Sequence, residues 1–296
     1  MHIIENEFLK VTVREYGAEL TSIIDKKNKL EHLWNAEETV WPWHAPVLFP
    51  IVGRSLNDEI LIDGVKYLME KHGLARKHDF AVMERSEDKL VFSLTATEDT
   101  LVIYPYRFEF LIGYRLKQNT LHVSYEVRNT DTKEIYFQLG GHPAFAVPFK
   151  PTNTGHSGNE KYEDYYLEFE HTENSNRHYI DGDGFFNGQT EKVLNNTNRL
   201  PLQSDLFKDD ALIFKDLKSR KVTIGNKNNG HYLSVAYPDF NYLGVWAKVN
   251  APYVCIEPWL GCADTAGDAR QFKDKEGVIK LLQAKSLNAN YIIEVG

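Results

Sequence analysis

Cysteine is nearly absent: Cys255 and Cys262 are the only two in 296 residues. With six residues between them they match no common zinc spacing, and one pair would be a thin disulfide framework for a chain this long. Both are expected as buried free thiols. Positive charge is also in deficit, 34 Lys and Arg against 42 Asp and Glu for a net charge of −8, with the two signs interspersed. No basic patch is offered to a phosphodiester backbone, which argues against nucleic acid as a partner. No apolar run approaches the ~20 residues of a membrane span, and the N-terminal "MHIIENEFLKVTV" shows no basic stretch leading into an apolar one. The expectation is no membrane association and a cytoplasmic location. Internal repeats and low-complexity tracts are missing. So are a G-x-S-x-G nucleophile elbow and a strand-to-helix phosphate loop, the glycines of "DGDGFFNG" fitting neither. Serine-hydrolase and nucleotide chemistry have no residues to rest on.

Sustained helical periodicity is missing too, and period-2 alternation takes its place. In "RFEFLIGYRLKQNTLHVSYEVRN", Phe108, Phe110, Ile112, Tyr114 and Leu116 alternate with polar residues, a "KQN" turn follows, and Leu121, Val123, Tyr125 and Val127 alternate again. That is a β-hairpin with one apolar face. Comparable runs occur at "FLKVTVREYG", "KLVFSLTAT", "EIYFQLG", "KVTIGNKNNGHYLSVAY", "YLGVWAKV" and "YVCIEPW". Short helices are expected only around "LEHLWN" (30–35) and "SDLF" (204–207), and two polar stretches, 150–164 and 173–200, are expected as loops. With 42% hydrophobic residues and no composition break, the chain is expected to form a single all-β antiparallel domain over residues 1–296.

Four stretches hold ionisable residues between Gly, Pro and aromatic neighbours at apparent strand ends: "FPIVGRSLND" with Arg54, "EKHGLARKHDF" with His72 and Arg76, "LGGHPAFAVPF" with His142, and "CIEPWLGCADT" with Glu257. Strand-end side chains of a β-sandwich can converge on a concave face and grip a small polar ligand. Each has a structural reading beside that one. Arg54 could pair with a surface carboxylate, and either histidine could be a satisfied structural imidazole. Glu257 could sit in a salt bridge, although a carboxylate inside so apolar a strand needs partners or a task. His72 and His78 are spaced H-x5-H, but no cysteine pair precedes them and no metal is expected. Trp41, Trp43, Trp246 and Trp259 could stack on the apolar face of a sugar or simply pack the core.

As a set, these stretches resemble the aldose 1-epimerase (galactose mutarotase-like) family, in its LacX-type branch. "HGLAR" is similar to the family's His-Gly-Phe-Ala-Arg element, "GGHPAF" to its second histidine element, "CIEPWLGCADT" to its glutamate element, and "GR" at 53–54 to its arginine element. The resemblance spans about residues 40 to 265. It implies a large antiparallel β-sandwich of the supersandwich type, with Glu257 as general base, His142 as general acid, and Arg54 and His72 as substrate-binding groups. The family's hydroxyl-holding aspartate falls in "FKDDALIF", where Asp210 is preferred over Asp209. Arg76 and Trp259 are further candidate sugar contacts. The Asp-His-Asn context of galactose mutarotases is lacking, so the sugar stays open.

Anomer exchange needs a proton taken from O1 and one given to the ring oxygen O5, so one base and one acid, envisaged on opposite sides of the ring, would suffice without a cofactor. The expected partner is a small-molecule sugar, free or phosphorylated, with a homodimer left open. Three other readings remain. A β-sandwich glycoside hydrolase would pair Glu257 with Asp210 or Asp264. A hexose-6-phosphate epimerase would clamp phosphate between Arg54 and Arg76. A non-catalytic sugar-binding protein would keep the fold alone.

Overall fold

A computed structural model describes residues 1–152, 160–267 and 269–296. The architecture is all-β: nineteen strands among the described residues join one sheet, with two further two-stranded sheets. Every ladder between these strands is antiparallel.

The pairings trace one continuous ribbon. It starts at the exposed strand Ala81–Arg85 and runs through Lys89–Thr95, the hairpin Phe108–Lys117 and Thr120–Asn129, then Ser286–Val295, Tyr232–Ala236, Lys221–Asn226 and Tyr165–Ile180. From there it passes through Leu212–Phe214, Tyr242–Trp246 and Tyr253–Leu260 to the paired segments Leu139–Gly141 and Ala144–Pro151, and ends in the strands of the first 33 residues. Antiparallel sheets twist and cannot stay flat over so many strands. The ribbon accordingly folds back until its two ends meet. The Glu5 amide donates to the Glu87 carbonyl at 2.8 Å, the His2 ring lies edge-on to Phe92 at 5.6 Å, and the Tyr114 hydroxyl donates to the Ala18 carbonyl at 2.7 Å. Between the layers lies one apolar cluster with members from Ile4 to Val295.

The 108–129 hairpin forms in the register its alternation implies, Lys117 opposite Thr120. Three local expectations fail. Residues 30–33 form a strand, with Glu31 paired to Ile24, and 204–207 form a turn. Apolar residues in two adjacent pairs there mimic a helical face, but ladder partners decide the conformation. The stretch 173–200 is mostly the long hairpin of Tyr165–Ile180 and Phe186–Pro201 rather than a loop. Four register irregularities break its alternation, the buried positions Glu173, Ser175 and Arg177 are polar, and residues 187–192 are exposed throughout, so its sequence carries no apolar period of two. Of the other expected loop, residues 153–159 lie outside the described residues.

A short helix that no helical periodicity announces spans Glu98–Ile103. It is one turn and a half, closed by reciprocal Thr97 and Thr100 side-chain bonds to backbone amides. Among the described residues, no helix is long and apolar enough to cross a membrane.

Candidate functional site

His142 occupies the gap between Leu139–Gly141 and Ala144–Pro151. Before the gap Gly140 pairs with Trp259, and after it Ala144 pairs with Cys255. The register is the same on both sides, so His142 stands directly opposite Glu257. The row extends both ways. The His142 amide donates to the Pro46 carbonyl at 3.1 Å, Glu257 pairs with Gly244, and Gly244 pairs with Ile213. Pro46, His142, Glu257 and Ile213 line one cavity of about 230 Å³.

Glu257 lies in a strand whose neighbours are buried on both faces, and it is 2% exposed, with His142 at 7%. Their Nε2 and Oε2 atoms are 3.1 Å apart and the Trp259 indole nitrogen faces the same carboxyl, yet neither contact reaches full hydrogen-bond geometry, and His142 Nδ1 is buried without a partner. Buried polar atoms are normally satisfied. Polar atoms of His142, Glu257 and Trp259 left without a well-formed hydrogen bond around one cavity mark a place built for a polar ligand. Burial also sets the protonation: it pushes the His142 imidazole down to about 3 and holds the Glu257 carboxyl well above its ordinary value, opposed by the Lys71 charge.

Glycine is required on both flanks of Trp259. A Cβ on Gly140 would lie 2.8 Å from the indole Cδ1, and one on Gly244 would lie 2.6 Å from Cζ2. The glycines before His142 therefore serve close packing within an extended strand rather than a tight turn. Above the pair, Trp41 stacks on the His142 ring at 4.9 Å and 28°, and Trp246 meets it edge-on at 6.0 Å.

His72 comes from the segment that follows the strand Val65–Leu68. Its backbone adopts φ 69°, held by two bonds: its amide donates to the Gly53 carbonyl at 2.7 Å, and the Gly53 amide donates to His72 Nδ1 at 3.1 Å. An Nδ1 that accepts leaves the proton on Nε2. Burial, followed by the Lys71 charge, keeps this imidazole well below its usual pKa and neutral. His72 is thus a fixed N–H donor, its ring edge-on to His142 at 5.6 Å.

The remaining expected residues divide. Arg76, Asp210 and Trp259 line the cavity. Asp210 does so from a left-handed turn at φ 67°, whereas the carbonyl of Asp209 accepts from Arg177. Arg54 is adjacent but does not line it. Its guanidinium is bound at both ends by Asp58, at 2.7 Å each, and Nη1 donates to the Asp183 carbonyl. Asp264 is likewise engaged, paired to Lys275 and accepting from the Leu56 amide. Trp43 lies under the Arg76 guanidinium, 5.0 Å from its carbon.

Lys71, and Ile180 and Gly184 at the end of the long hairpin, line the cavity without having been singled out. Lys71 was readable as the residue before His72; the hairpin was not readable at all. The His72/His78 spacing holds no shared site, since His78 Nδ1 contacts the Leu74 carbonyl instead. Among the described residues, His142, Cys255 and Glu257 form the group whose donor atoms, all within 4.8 Å of one another, could hold a metal ion.

Comparison with known proteins adds a second line of evidence. The family model for aldose 1-epimerase matches residues 1–267. The plasmid-encoded protein LacX of Lactococcus lactis subsp. lactis is 33% identical over 99% of this chain and 98% of its own length. Among solved structures, a galactose mutarotase related enzyme from Lactobacillus acidophilus superimposes with a TM-score of 0.92 at 33% identity, covering 100% of this chain and 97% of that one. A galactose mutarotase-like protein from Lactobacillus casei gives 0.91 at 32%, with full coverage of both. By its sequence and its β-sandwich alike, the chain belongs to the aldose 1-epimerase family.

Proposed function

We propose that the protein interconverts the α and β anomers of an aldose by general acid–base opening of the ring, with Glu257 and His142 as the proton-transfer pair. The observation that carries this reading is the cross-strand contact of 3.1 Å between two buried groups. O1 and O5 are both bonded to C1. An acid and a base standing side by side therefore suit the reaction better than a pair on opposite sides of the ring. Sugar entering the cavity would come between them, one group taking the O1 proton while the other supplies O5; C1 then rotates as an aldehyde and the ring recloses.

Burial disfavours charge on both groups, so the pair carries one proton over a wide pH range, and the sugar oxygens complete the path along which that proton moves. Each group can contribute ~10²–10⁴-fold. The fixed Nε2–H of His72 is a donor for ring or hydroxyl oxygen, and Trp41, Trp246 and Trp259 offer faces to the C–H surface of a pyranose. The test is polarimetry on freshly dissolved single anomers of several sugars. Acceleration well above the spontaneous rate, lost in Glu257→Gln, is the expected result; the spontaneous rate with every sugar would sink the reading.

A further inference from the structure

Two cations line the cavity with no carboxylate paired to either. Lys71 makes no ion pair or hydrogen bond through its ammonium among the described residues. Its Nζ lies 4.0 Å from where a Cβ on Gly184 would be, which places the charge at the tip of the long hairpin. Arg76 is half-buried. One of its nitrogens, Nη2, donates to the Lys71 carbonyl at 2.9 Å, its face rests on Trp43, and its Nε is buried without a partner. Arg54 shows the contrast, because Asp58 neutralises it outside the cavity.

The acidic groups on the cavity wall do not compensate. Asp210 turns one oxygen back to the Ala211 amide at 2.7 Å, and Glu257 lies on the floor beside His142. A half-buried guanidinium with a free donor is costly unless an anion completes it. Lys71 supplies a mobile point charge and Arg76 a fixed fork, the two complementary ways of holding a phosphate or carboxylate.

We propose that Lys71 and Arg76 form an anion subsite, and that the sugar taken by this cavity is an aldose carrying a phosphate ester or a carboxylate away from C1. This rests on the anomer-exchange reading of His142 and Glu257. Binding energy from the anionic group, remote from the reacting carbon, would hold C1 at the pair.

Anomer exchange is measured by exchange NMR for glucose and galactose, their 6-phosphates, and glucuronate and galacturonate, in the wild type, Lys71→Met and Arg76→Gln. Hydrogen bonds to charged groups are worth roughly tenfold or more each in binding, so with two cations kcat/KM should favour a charged sugar over its parent by about a hundredfold. Each variant should lower the charged-to-neutral ratio about tenfold. Preference for the 6-phosphates or for the uronates identifies which anion the subsite is shaped for. Lys71 is exposed, so Lys71→Met decides the matter even if Arg76→Gln fails to fold.

Neutral sugars exchanged as fast as charged ones, with a ratio unmoved by Lys71→Met, overturn the subsite and leave anomer exchange standing. A protein that exchanges no sugar, yet binds galactose 6-phosphate through Lys71 in calorimetry, keeps the subsite and overturns the exchange reading. Neither exchange nor binding removes both.

Discussion

His142 and Glu257 are cross-strand neighbours in one unbroken register, their Nε2 and Oε2 atoms 3.1 Å apart although 114 residues separate them in the chain. The ladder that aligns them is interrupted at Gly141–Pro143, and there the Ile256 amide still donates to the Pro143 carbonyl at 3.2 Å. Ladder geometry rather than loop conformation therefore sets their separation, and a site built on strands is held more tightly than one built on loops.

Glu257→Gln keeps shape and removes the titrating group. Anomer exchange should fall by ~10²-fold or more, with sugar binding largely kept. The same change should stabilise the fold. A carboxyl whose folded pKa is raised disfavours the native state increasingly as pH rises above its unfolded value. Thermal unfolding should show a gain of about 1–2 kcal/mol at pH 8 that shrinks toward pH 4. Near wild-type turnover in the variant would eliminate Glu257 as the base.

The pH profile of kcat/KM should be bell-shaped, with limbs that belong to the pair. His142 gains its proton only near the low value that burial imposes, about 3, and Glu257 releases its own above the ordinary carboxyl range. Between the limbs the pair holds one proton. In His142→Asn, kcat should fall more than KM changes, and the residual rate should climb where the wild type declines, because Glu257 then acts only as an ionised base. If the variant keeps the wild-type alkaline limb and substantial activity, His142 has no part in the proton transfer.

Gly244→Ala places a methyl group 2.6 Å from the Trp259 ring. Overpacking of this kind costs about 1–3 kcal/mol. The indole has to tilt, and a displacement near the reacting groups should lower kcat/KM about tenfold or more. Urea unfolding together with initial rates checks both effects; an unchanged rate would show that Trp259 has no part in seating the sugar.

Gln138 ties three segments around the site. Its Oε1 accepts from the Val52 amide at 2.9 Å, and its Nε2 donates to the carbonyls of Cys262 and Glu276 at 3.0 Å. Gln138→Leu strands two buried backbone groups, the Val52 amide and the Cys262 carbonyl, at roughly 1 kcal/mol or more each, so a loss of about 2 kcal/mol is expected in chemical denaturation. KM should rise as well, because Gly53 and Ala263 on two of those segments line the cavity.

Exhaustive chelation should leave turnover unchanged, since both proton transfers are assigned to side chains. Loss of activity in chelator, restored by one divalent ion, would instead make His142, Cys255 and Glu257 the ligand set to test.

Strand alternation and the short Gly/Pro-bounded motifs are local properties, legible along the chain. Period-2 runs such as Phe108–Leu116 can bury one face only as strands, and a carboxylate between Ile256 and Pro258 had to have a purpose because burying it is costly. The long hairpin of residues 165–201 stayed hidden, since its bulges erase the alternation and its buried positions Glu173, Ser175 and Arg177 are polar rather than apolar. Which motifs meet was a matter of tertiary structure. Arg54 is a motif residue and Lys71 only the neighbour of one, yet a nearby Asp58 holds Arg54 outside the cavity while Lys71 lines it. The pairing of His142 with Glu257, and the shifts that burial imposes on both, follow from contacts between residues far apart in the chain, and no local pattern encodes those.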